Sequence, residues 1–201
     1  MFKFEKLVFG DLGWGDEFLF AALMTITVSI LSMGLGLCLA ILTVWAKLIT
    51  NKITRLIANF YTTVVRGVPE LLVIYLIFFG GNTVVMSIAK LFGYNGYIEL
   101  NALTIGTIAI AFISATYSSE VLRAAYLAVN KGQIEAAKTL GLNKFQIFFK
   151  VMGPQILRHA LPGIGNVWQI TLKDTSLISV TGLVEITVSY THLTLPTNRE
   201  V

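Results

Sequence analysis

Charge is what this chain has least of. Only 13% of its 201 residues are Asp, Glu, Lys or Arg, while 55% are hydrophobic. A soluble domain of this length would have to expose more charge, so composition excludes one and points to a membrane. Cysteine is nearly absent too. Cys38 stands alone inside an apolar run, which rules out an internal disulfide and says nothing about compartment.

Three stretches hold no Asp, Glu, Lys or Arg at all: 18–46, 71–89 and 100–119. Each is near or above the roughly 20 residues that cross a bilayer as a helix. A fourth is interrupted, because 160–172 is apolar but Lys173 and Asp174 intervene before 175–184 resumes. If it spans, each charge costs ~2.5 to 3.5 kcal/mol and should face protein or water. The first stretch is too long for a signal-peptide core and lacks a small-residue cleavage site, so it reads as a retained helix.

Basic residues are unevenly spread. Lys47, Lys52, Arg55 and Arg66 lie between the first two spans, and Arg123, Lys131, Lys138, Lys144, Lys150 and Arg158 follow the third. Positive loops stay in the cytoplasm, which puts the N-terminus and the 80–99 loop outside. Arg66 and Glu70, flanking Gly67 and Pro69, read as a self-neutralising i, i+4 pair at the boundary. Proline there removes a helical hydrogen bond and kinks the chain. Glu120 and Arg123 read the same way. Pro162 starts or bends the fourth span. His159 is an interfacial polar residue rather than a ligand, and no metal or cofactor is expected.

The cytoplasmic stretch 132–150, GQIEAAKTLGLNKFQIFFK, is the exception to the oil. Ile134, Ala137 and Leu140 fall at helical spacing, and Gly141 follows where a left-handed cap costs least. Asn143 and Gln146 form a variant capping box. Phe145, Phe148, Phe149 and Met152 would give a second helix one apolar face. Periodicity alone also suits an amphipathic helix on the membrane surface. A DNA-binding helix-turn-helix is excluded by the small basic excess and the tether between spans, so no nucleic-acid partner is expected.

These residues carry a resemblance. EAAKTLG with VMGP after it is similar to the EAA loop of permease subunits in binding-protein-dependent ABC importers. Glu135, Ala136, Ala137, Gly141 and Pro154 match that pattern, and Gly153 stands where Leu is usual. The Arg66, Gly67, Pro69, Glu70 segment within 61–81, and 119–137, resemble the polar amino-acid permeases. Residues 157–183 resemble most closely the histidine, arginine, lysine and ornithine permeases and the opine permeases. The likeness runs from about residue 19 to residue 185.

The resemblance implies an all-α integral membrane fold, a MetI-like type I importer bundle with about four spans present and the final one missing. It implies a periplasmic segment 1–17, a permease domain 18–187 with its coupling loop at 131–155, and the bacterial inner membrane as location. It also implies that the loop docks on a cytoplasmic ATP-binding subunit dimer, beside a second permease subunit, a periplasmic solute-binding protein, an amino-acid substrate and membrane lipid. No GxxxxGK[ST] run occurs, so ATP is expected on a partner and no enzyme activity here. A cationic substrate needs a counter-charge, and Asp174 is the candidate, with packing against a paired subunit as its alternative role.

Residues 188–201 fit no membrane element. Their back-translation matches a transposase sequencing adapter, so native sequence is expected to end near Thr187. A membrane assembly protein without transport, or a channel subunit, would share the spans and charge bias. Neither explains the loop.

Overall fold

A computed structural model describes residues 15–91, 93 and 101–181. The segment before residue 15 and the 188–201 tail therefore lie outside the described residues. The described residues are mostly helical, with no strand among them.

The three charge-free stretches are the three long apolar helices α1 (Gly15–Leu48), α3 (Glu70–Leu91) and α4 (Ala102–Ala128). With no peptide partner in hydrocarbon, a spanning segment must close its hydrogen bonds internally, and these runs do so. α1 has 34 residues, or ~51 Å at 1.5 Å per residue, and overshoots a hydrocarbon core of about 30 Å. Its charge-free run ends at Ala46, and Lys47 is its penultimate residue.

Two departures from the sequence expectation stand out. Residues 47–66, expected as loop, are mostly helix: α2 (Lys52–Gly67), N-capped by Asn51, whose side chain accepts the Ile53 N–H at 3.0 Å. Its period was visible in Ile53, Leu56, Ile57 and Phe60, all exposed, with Ala58, Thr62 and Val65 buried opposite. The fourth stretch is α7 (Gly153–Asp174), continuous through Pro162 rather than starting there, followed by a 3-10 segment (Thr175–Thr181). Asp174 ends α7 rather than lying mid-helix. Pro154 is the second residue of α7, which directly follows the π segment Ile147–Met152, so its missing N–H falls inside a continuous helical run.

The chain packs as two compact units. One holds the described parts of 1–32, 69–110 and 171–201 around Val28, Ile110 and Ile178, with Met24 and Leu103 against them. There Ser32 Oγ donates to the Thr107 carbonyl at 3.1 Å, and α3 contacts the 3-10 segment. The other unit holds 33–68 and 111–170. In it α4 buries Ala111, Ser114, Ala115, Ser118 and Ser119, the small residues that let membrane helices approach closely where hydrophobicity cannot drive them together. Tyr61 Oη donates to the Phe112 carbonyl at 2.6 Å, fastening α2 to α4.

Candidate functional site

The stretch 130–146 folds as a capped helical corner. α5 (Lys131–Thr139) begins at Asn130, whose side chain accepts the Gly132 N–H at 2.8 Å. It ends in a Schellman motif. Gly141 N–H donates to the Lys138 carbonyl at 3.0 Å and Leu142 N–H to the Ala137 carbonyl at 3.2 Å. Gly141 has φ +77°, the left-handed region in which a side chain is strained. α6 (Lys144–Gln146) then starts on the capping box: Asn143 Oδ1 accepts the Gln146 N–H at 2.8 Å, and Asn143 N–H donates to Gln146 Oε1 at 3.0 Å. Both ends of the turn are thus fixed by local chemistry.

Beyond Gln146 the helix widens into a π segment (Ile147–Met152) before α7. Its i→i+5 bonds add a residue to the turn and rotate the side chains away from α-helical phase. Ile147 and Met152 consequently point inward, while Phe145, Phe148 and Phe149 are exposed and pack on one another. The expected apolar face is therefore split between core and surface. Gly153 closes the segment by donating to the Phe148 carbonyl, and a Cβ there would stand 3.0 Å from that oxygen. The usual Leu would crowd this geometry.

The matched residues face different ways. Glu135 and Ala136 are exposed, whereas Ala137 is 4% exposed, packed with Val129, Ile147 and Met152. Small size at 137 serves the seating of α5 on the π segment, while at 136 it leaves a low outer surface. Gln155 Nε2 donates to Gln133 Oε1 at 2.5 Å and ties α5 to α7.

The acidic and basic pairs are arranged differently from the sequence expectation. Arg66 and Glu70 do not share a helix, because α2 ends at Gly67 and Val68 is extended (φ −105°, ψ 142°) before Pro69. The proline breaks the chain rather than kinking it. Arg66 instead lies over the Tyr117 ring, 5.6 Å from its centroid. Glu120 does meet Arg123, at 3.7 Å, but its nearer partner is Lys47, an ion pair across α1 and α4. Lys47 Nζ also donates to Thr62 Oγ1 at 2.8 Å, so one ammonium joins α1, α2 and α4. Sequence reading missed it, since the partners lie 73 residues apart.

Asp174 is buried, 7% exposed, and its carboxyl lies beside that of Glu70. Lys173 beside it is exposed. Two acids the sequence left unrelated thus share one place.

The family model for the "Binding-protein-dependent transport system inner membrane component" matches residues 32–191. The chain is 54% identical over 181 residues to the nopaline transport system permease protein NocQ of Agrobacterium fabrum, covering 90% of this chain and 77% of that protein. It is 38% identical over 174 residues to the histidine/lysine/arginine/ornithine transport system permease protein HisQ of Escherichia coli, covering 87% and 76%. Among solved structures it is similar to a chain of an amino acid ABC transporter crystallised with histidines, with a TM-score of 0.72 and 27% identity over 90% of this chain and 85% of that one.

Proposed function

The chain belongs to the family of inner-membrane components of binding-protein-dependent transport systems, and we propose that it carries cationic amino acids or opines, driven through α5 by a separate ATPase. At the coarser level it is a transmembrane subunit of an ABC importer of the amino-acid and opine permease class, and a permease rather than an enzyme.

The observation that carries the coupling reading is the corner at 130–146. A docking helix transmits force only if it does not yield at its ends, and here one end is an Asn cap and the other a Schellman turn locked to a capping box. Glu135 and Ala136 form the outer surface presented to an ATPase groove. Ala137, buried behind it, seats that surface on the π segment, Gly141 turns the chain at its end, and Pro154 follows at the start of α7. A second permease subunit and a periplasmic solute-binding protein complete the assembly, with the N-terminus outside and 131–155 in the cytoplasm.

Substrate charge supports the pathway reading. A cationic side chain crossing a low-dielectric region needs fixed negative charge along its route. The Glu70 and Asp174 carboxyls, brought together at the head of α3 and the end of α7, are the acids placed to supply it. The test is uptake in liposomes by the complete transporter with its solute-binding protein, with amino acids competing against labelled arginine. Asp174→Asn is expected to weaken cationic uptake while the assembled complex is purified in normal yield. Unchanged arginine uptake would remove Asp174 from the pathway.

A further inference from the structure

An apolar groove of about 670 Å³ opens within the second unit, between the end of α1, the end of α4 and the α5–α7 corner. That size is in the range of about 300–1,000 Å³ typical of small-molecule sites. Its floor is made by half-buried or buried side chains of the corner, among them Ile147, Met152 and Ile156. One wall is Ile41, Trp45 and Leu48, a single face of α1 at i, i+4 and i+7, each at least 40% exposed. Among the described residues lining it, the charged ones are Lys138 and Lys144, one on each side of the Gly141 turn. Both are exposed, and neither is in an ion pair among the described residues.

Apolar walls, two unpaired ammonium groups and no carboxylate make a site for an amphiphilic anion. A free amino acid would find no partner for its own ammonium, and a purely apolar tail would leave the lysines unused. The groove also takes in the C-terminal end of α1, where the charge-free run stops, and passes from apolar walls to the two lysines in the order in which a lipid changes from tail to headgroup. We propose that this groove binds one anionic phospholipid, its acyl chain along Ile41, Trp45 and Leu48 and its phosphate between Lys138 and Lys144. The bound lipid would thereby bridge α1 and the α5 corner. The proposal rests on the cytoplasmic placement of that corner.

Native mass spectrometry of the intact transporter in mild detergent tests it, with phosphatidylglycerol and phosphatidylcholine of matched acyl chains titrated in turn. Two lysines at the headgroup level predict phosphatidylglycerol retained roughly 10- to 30-fold more tightly than phosphatidylcholine. Lys138→Gln/Lys144→Gln, both at exposed positions, should bring the two lipids to within about twofold of each other. Ile41→Trp, which fills the tail slot from an exposed position, should lower retention of both. Equal retention of the two lipids by the unaltered protein, or a preference untouched by the double substitution, overturns the proposal. So does retention of neither lipid, the result expected if a protein segment fills the groove. Binding is read without uptake or ATP hydrolysis, so a failure of the coupling or substrate reading leaves this measurement intact.

Discussion

The Lys47–Glu120 pair allows a prediction whose sign depends on which partner is removed. Lys47 is the more deeply buried: its side chain is 2% exposed, whereas that of Glu120 is 32% exposed. Glu120→Leu leaves a buried ammonium with only the Thr62 hydroxyl, and breaking a buried pair in this way costs about 3 to 5 kcal/mol. Lys47→Met leaves a carboxylate that keeps Arg123 at 3.7 Å and reaches water, so the expected cost is lower, about 1 to 2 kcal/mol. The double variant Lys47→Met/Glu120→Leu removes both charges and substitutes apolar groups of similar length. It should therefore be more stable than Glu120→Leu alone by roughly 1 to 3 kcal/mol, since paired removal is often neutral where single removal is not. Unfolding the purified permease in mixed micelles with rising dodecyl sulfate, followed by tryptophan fluorescence, gives the four stabilities of the cycle. If the two single losses simply add, or if Lys47→Met is as damaging as Glu120→Leu, the ammonium is not buried as described.

Two further outcomes concern the corner. Ala137→Leu, in a packed site, should cost about 1 to 3 kcal/mol by overpacking, whereas Ala136→Leu, on the outer face, should stay within about 0.5 kcal/mol yet lower transport-coupled ATP hydrolysis. The reverse pattern in the same unfolding and ATPase assays would mean that the outward face has been misassigned. Gly141→Ala meets no atom within 4 Å, so its cost is conformational alone, about 1 to 2 kcal/mol for a left-handed alanine. A thermal unfolding scan showing no loss would contradict the Schellman turn.

What could be read from the sequence was whatever is local. The three charge-free runs became α1, α3 and α4, and Gly141, Asn143 and Gln146 formed the caps their spacing predicts, because these depend on neighbours within a few residues. The π segment was not legible, since α-helical spacing was assumed through 144–152, although Pro154, which cannot donate to the turn before it, follows closely. The π turn shifts the phase of the side chains, so the aromatic face assigned by α-helical spacing is on the surface while Ile147 and Met152 are buried. Charge pairing was legible only in part. Glu120 and Arg123 do pair as their spacing predicts, but Arg66 and Glu70 do not, and the contacts of Arg66 with Tyr117, Glu120 with Lys47 and Glu70 with Asp174 are set by helices meeting across long separations.

The 73 residues between Lys47 and Glu120 also set an order of events during synthesis. At about 5 to 20 residues per second, α1 leaves the ribosome some 4 to 15 seconds before the carboxylate that will neutralise its lysine exists. A charge in mid-span would have to wait in lipid for that interval. Lys47 is the penultimate residue of α1, so its flexible stem can hold the ammonium in water until α4 arrives. Placing the cation at the very end of the first helix lets insertion finish before assembly begins.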